Sequence, residues 1–244
     1  MRTGVPVPAG FCVTTTVYKQ LVDNQAIVEQ IERLDDVDPT DTETLQVRSA
    51  ELRDSIRSRK LSDDIQEAIE TQVHADTLYV ASSSATAEDL PTASFAGQHS
   101  TVLDLDNATD VTEAVMECMA SLFTDRAVAY RAANDIPHEE VSMAIVVQEM
   151  VNADSSGVLF TADPTTGKWT VAAIDAATGL GEAVVSGTLT ADHLRVDRQR
   201  GEIIDYQVGR PDRDGSSTAH TERVLTDEQV AMLVSYGDGI ITRR

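Results

Sequence analysis

An α+β fold, with helices first and a mostly antiparallel sheet second, is what this sequence predicts. Three observations carry it. Apolar residues recur at helical spacing through the early part of the chain, and short apolar or alternating runs bounded by turn residues crowd the later part. The length, 244 residues, suffices for one large domain or two lobes.

The elements follow in order. Gly4-Val-Pro-Val-Pro-Ala-Gly-Phe11 is a proline-bearing turn that runs into the β-branched segment Cys12–Thr16. Thr14–Thr16 then cap a short helix over Val17–Asn24. Ile27, Ile31 and Leu34, then Leu45, Leu52 and Ile56, then Ile65, Ile69 and Val73 mark two or three amphipathic helices between Asn24 and Ala75. Breaks fall around Asp38-Pro39 and Leu61–Asp64. Leu78–Ala81 reads as a strand, Ser82–Gln98 has no periodicity, and Ser100–Leu105 is a second strand. Thr109–Ala133 is the longest helical signal, with Val111, Val115, Met119, Leu122 and Val128 on one side. Val141–Val151, Gly157–Thr161, Trp169–Ile174, Ala183–Val185 and His193–Val196 read as strands. Gly209–Thr221 is a polar loop, and Thr226–Ser235 a helix that opens with Thr-Asp-Glu.

Hydrophobic residues make up 41% of the chain and aromatics 4%, so Ala, Val, Ile and Leu must fill the core. The charge is lopsided: 41 acidic against 19 basic residues give −22, and only Lys19, Lys60 and Lys168 are lysines. This argues against nucleic acid and anionic membranes as partners, since both require clustered cations. Such a surface suits a salt-loving cytoplasm, where a Debye length of roughly 3 Å at molar salt removes most self-repulsion; an ordinary acidic cytosolic protein is the other reading. Cys12 and Cys118 are too few for a disulfide or zinc framework and are expected to be buried. No apolar run reaches the ~20 residues of a membrane span and no signal pattern opens the chain, so a cytoplasmic location is expected.

Ser82-Ser-Ser-Ala-Thr-Ala-Glu-Asp-Leu-Pro-Thr-Ala-Ser-Phe-Ala-Gly-Gln98 is a loop of small, hydroxylated residues. Such a loop lets backbone N–H groups approach phosphate, though the same composition also makes flexible linkers. Read in order, these residues closely resemble the glycine-containing loop of the ATP-binding domain shared by phosphoenolpyruvate synthase (pyruvate, water dikinase), pyruvate phosphate dikinase and rifampicin phosphotransferase. The resemblance extends through Gly4–Thr15, Thr124–Arg131, Val146–Val151, Ser156–Gly167 and Gly179–Thr188. The polar stretch Asn24–Ala75 lies outside it.

The resemblance implies an ATP-grasp fold of two lobes, 1–105 with the phosphate loop and 106–244. It also implies ATP and Mg²⁺ as cofactors and transfer of phosphoryl to a histidine or a small-molecule hydroxyl. Carried over by position, Gly97 and Thr101 belong to the phosphate loop, Gln148 sits beside adenine, and Met150 packs on the base. Glu182 falls in a segment near the nucleotide, where a merely solvated acid is the other reading. None of the five histidines is assigned as a phosphoryl acceptor. Ser82 stands where the family has an arginine that grips ATP phosphates, a bidentate contact no hydroxyl can supply. The family's lysine and acidic metal ligand are expected beyond the two ends of this chain, so no metal ligand is assigned. Little turnover by the chain alone is therefore expected. The rival expectations are a non-catalytic remnant with weak or no ATP binding, and one subunit of a split enzyme with a separate phosphohistidine or pyruvate domain.

Overall fold

The computed structural model describes residues 4–38, 40–86, 100–181, 191–209 and 223–241. These form two compact units, Pro8–Met150 and the part from Val151 onward together with the described residues before Pro8. Along the chain these units part between 150 and 151. The reason lies in strand pairing: residues 143–149 complete the sheet that the earlier strands begin.

In the first unit, β1 (Gly10–Val13), β2 (Tyr79–Ala85), β3 (Thr101–Leu105) and β4 (Met143–Glu149) make an antiparallel sheet in the order β1-β4-β2-β3. An antiparallel sheet is thus present here as well as in the second unit. Helices α1 (Thr15–Val22), α2 (Gln25–Asp35), α3 (Thr42–Arg57) and α4 (Asp63–Gln72) occupy the expected polar stretch and its approach. Their apolar stripes are the predicted ones: Ile27, Ile31 and Leu34, then Leu45, Leu52 and Ile56, then Ile69 are all buried. Asn24 and Asp41 cap α2 and α3 by accepting from Ala26 N and Thr44 N.

The long helical signal divides into α5 (Ala108–Ala120), a 3₁₀ turn at Ser121–Phe123, and α6 (Asp125–Ala133). Ser121 Oγ donates back to Cys118 O at 2.6 Å, and Thr124 takes an extended backbone and caps α6 through Ala127 N. A good N-cap therefore restarts the helix inside a continuous apolar stripe. Strand β2 runs on through Ser82–Ala85, which showed no periodicity because small polar residues alternate there without an apolar contrast.

The second unit is a meander of β5 (Ser155–Phe160), β6 (Val171–Thr178), β7 (Asp192–Asp197) and β8 (Glu202–Gln207), in that spatial order. Strand β8 was not expected from the sequence. The expected strand at Ala183–Val185 lies outside the described residues, as does most of the loop Gly209–Thr221. Helix α7 (Asp227–Ile241) is longer than expected and begins with a reciprocal capping box: Thr226 N donates to Gln229 Oε1, and Gln229 N donates to Thr226 Oγ1. It packs Val230 and Val234 over Ala172, Ile174, Ala176, Leu194 and Val196. Among the described residues no helix is long and apolar enough to cross a membrane.

Candidate functional site

The first sheet buries one face and leaves the other open. Tyr79, Ala81, Ser83 and Ala85 of β2, with Met143, Ile145 and Val147 of β4, point into the core. By strand alternation Val80, Ser82 and Ser84, with Ala144, Val146 and Gln148, take the opposite face. Register sets them in rows: Cys12 opposes Val146, Val146 opposes Ser82, and Ser82 opposes Thr101. Gly10, Gln148 and Val80 form the adjoining row. Ser82 Oγ and Thr101 Oγ1 stand 3.4 Å apart.

The Gln148 end of β4 is clamped from both sides. Glu149 N donates to Ala9 O and Met150 N to Leu78 O, each at 2.8 Å, while Gln148 Nε2 reaches Pro8 O at 3.4 Å. Gly10 makes this closeness possible, since a Cβ there would lie 2.2 Å from Val147 O and 2.8 Å from Gln148 Cα. Met150 lies one residue beyond the strand end.

Three sequence-predicted residues, Ser82, Thr101 and Gln148, thus share one open sheet face. Gly97 and Glu182 lie outside the described residues. Cys12 corrects an expectation: it is exposed on the same row as Ser82, because Val13 takes the inward position and alternation turns Cys12 outward. Cys118 is buried as expected, its thiol pushed up to about 12 by burial, and it donates weakly to Ala81 O and Ser100 O behind the face. The parity that exposes Cys12 was available in the sequence, in the alternation of Phe11 to Val13.

The rows hold hydroxyls, a thiol and an amide and no cationic side chain, so they can bind by hydrogen bonding and shape but supply no charge to a transferring group. His138 is buried and His193 Nδ1 contacts Asp175 Oδ1 at 2.5 Å, while His99 and His220 lie outside the described residues. Among the described residues no three His, Cys, Asp or Glu side chains gather to hold a metal ion.

The described sheet face of this α+β fold presents hydroxyls, a thiol and an amide, groups that hydrogen-bond a ligand. Residues 1–238 match the pyruvate phosphate dikinase AMP/ATP-binding domain, and the chain belongs to that family, as the ATP-binding domain of phosphoenolpyruvate synthase- and rifampicin phosphotransferase-like phosphotransferases. It is similar to the probable phosphoenolpyruvate synthase of Methanothermobacter thermautotrophicus, 41% identical over 257 residues that cover 97% of this chain and 37% of that protein. The rifampicin phosphotransferase of Streptomyces sviceus is 40% identical, over 98% of this chain and 29% of its own length. The probable phosphoenolpyruvate synthase of Archaeoglobus fulgidus is 39% identical, over 98% and 34%. The chain spans about a third of the length of these relatives.

Proposed function

We propose that the chain holds ATP in an ATP-grasp arrangement for phosphoryl transfer to an acceptor carried by a separate domain or subunit. In this reading Gln148 hydrogen-bonds the adenine edge, Met150 packs on the base, Thr101 and Gly97 line the phosphates, and Glu182 lies near the nucleotide. The observation that carries it is the register that sets Gln148, Ser82 and Thr101 on one sheet face, with Ser82 and Gln148 inside segments that carry the family resemblance. Mg²⁺ enters as the counter-ion of ATP. The described residues do not fit a resident metal, and no step is assigned to one.

Ser82 limits the chemistry. A hydroxyl in place of a guanidinium forfeits a charge-assisted contact, so affinity should depend on Mg²⁺ and on the chain's acidic field. Calorimetric titration with ATP, with and without Mg²⁺ in molar KCl, tests the reading. Gln148→Ala is expected to weaken binding about tenfold or more, and Ser82→Arg to tighten it by a similar factor. No binding by either the native chain or Ser82→Arg sinks the reading. The −22 charge is read as adaptation to brine, so the unfolding midpoint should rise between low and molar KCl; a flat or falling midpoint removes that part of the proposal.

A further inference from the structure

Many of the cations that the structure describes in this acidic chain are engaged by other groups. Six arginines are held by carboxylates. Arg59 and Lys60, adjacent in the turn between α3 and α4, are exposed, and their side chains make no hydrogen bond or ion pair with the described residues. Both line one cleft of about 560 Å³ between α4 and α5, well within the roughly 300–1,000 Å³ of small-molecule sites.

The cleft has a defined polarity. Arg57 closes one end through paired bonds to Glu117, Nε to Oε2 at 2.6 Å and Nη2 to Oε1 at 2.8 Å, so those two charges cancel. Arg59 and Lys60 stand at that end with their charges uncompensated. Further along, one helical turn of about 5.4 Å separates Glu117 from Glu113 on α5, and another turn leads to Thr109. On α4 one turn separates Gln66, whose amide is tied to Leu61 O at 2.6 Å, from Glu70. The cleft therefore runs from two free cations, over a floor that includes buried Leu61 and Met116, to two carboxylates and a threonine.

We propose that this cleft is a second ligand site, for a phosphate monoester of an amino alcohol or polyol. Two free cations match the charge of about −1.5 to −2 that a phosphate monoester carries at pH 7. Glu70 and Glu113 accept from amino or hydroxyl groups on its far end and repel a ligand anionic throughout, such as a polyphosphate. The site lies in the segment 24–75 and α5, apart from the sheet face assigned to ATP, and does not depend on that assignment.

Titration of the full chain at low salt with inorganic phosphate, phosphoethanolamine, glycerol 3-phosphate and acetate tests it. The two esters are expected to saturate, inorganic phosphate to bind more weakly, and acetate weakest. Arg59→Gln with Lys60→Gln, both exposed and harmless to folding, should weaken the esters by about a hundredfold; Glu113→Gln should weaken phosphoethanolamine about tenfold and leave inorganic phosphate unchanged. Failure of every phosphate probe to saturate at millimolar concentration, or unchanged binding in the double variant, overturns the proposal. Acetate binding as tightly as phosphate overturns the phosphate assignment. Loss of ATP together with the esters in the double variant places the nucleotide itself in this cleft and overturns a separate site; loss of ATP alone on Gln148→Ala leaves it standing.

Discussion

The two units solve the same problem, covering an antiparallel sheet, with different means. The first packs helices over one face and gathers a broad core of Leu, Ile, Val, Met and Phe, with fully buried Leu52, Ile56, Met119 and Phe123 at its centre. Among the described residues the second has one helix and a core to which β6 contributes only Ala172, Ile174 and Ala176. Alanines bury little apolar area, at roughly 25 cal/mol per Å², so the smaller unit relies on buried carboxylates to hold its loops. Asp192, with no exposure, accepts from Tyr206 Oη at 2.6 Å, Gly209 N at 2.8 Å and Val224 N at 3.0 Å. Asp163 accepts from Thr165 N, Thr166 N and Arg195; burial works against its charge, yet these donors hold its carboxyl down to about 2.

The sharpest break of this contrast is Asp192→Ala. It strips the partner from two backbone N–H groups and a tyrosine hydroxyl at once, each worth about 1–3 kcal/mol when left buried and unpaired. A loss of about 3 kcal/mol or more is expected in urea unfolding of the full chain, felt by probes in the second unit. Asp192→Asn, which keeps an acceptor, should recover part of it. Equal loss in both variants would mean that the second acceptor oxygen and the charge, which asparagine lacks, carry the contribution.

The first unit has a buried polar pair of its own, and there the cost shows as pH dependence. Arg131, 1% exposed, donates through Nε to His138 Nδ1 at 2.8 Å and lies over the Phe123 ring. Burial, and then the Arg131 charge, lower His138 to about 4. The folded chain therefore keeps His138 neutral while the unfolded chain protonates it near 6.5. Stability from this group is full above about pH 6.5 and declines as pH falls toward 4, by up to about 3 kcal/mol. Unfolding midpoints measured across that window should slope downward with acid, and His138→Gln should flatten the slope. Asp163 behaves oppositely in range, since its contribution fades only as pH falls from about 4 toward 2. Acid should thus affect the first unit before it reaches this clasp of the second.

The same contrast explains what could be read before the structure. The helices of the first unit were legible because large apolar residues at 3.6-residue spacing leave few alternatives, as at Ile27, Ile31 and Leu34. The site strand was half legible: Gln148 and Thr101 came from resemblance, while the extension of β2 through Ser82–Ala85 was hidden by small residues without contrast. Strand β8, Glu-Ile-Ile-Asp-Tyr-Gln, escaped because its polar ends and partly exposed Ile204 break the alternation. Asp192 and the Arg131–His138 pair join residues 7 to 32 positions apart through tertiary packing, which no local pattern encodes. Cys12 was misjudged by residue type, since cysteine is usually buried, where alternation with Val13 decides.

A matched pair of glycines offers the finest comparison. Gly10 in β1 and Gly157 in β5 each sit in a sheet-edge strand, and a Cβ at either would come 2.2 Å from a carbonyl oxygen of the neighbouring strand, Val147 O or Asp175 O. Neither backbone oxygen can yield as a flexible side chain could, so Gly→Ala must push the edge strand outward. Overpacking of this kind costs about 1–3 kcal/mol. The first unit has its large core and the clamp on β4 to absorb the shift, so Gly10→Ala should fall at the low end. Its main effect should be local displacement of Gln148, whose Cα would lie 2.8 Å from the added carbon. In the second unit β5 is held by Leu159 packed beneath helix α7, where Gly237 leaves only 3.0 Å of clearance for an added Cβ. Gly157→Ala should therefore cost more in urea unfolding than Gly10→Ala. The reverse order would show that the clamp around Gln148, and not core size, sets which sheet tolerates strain.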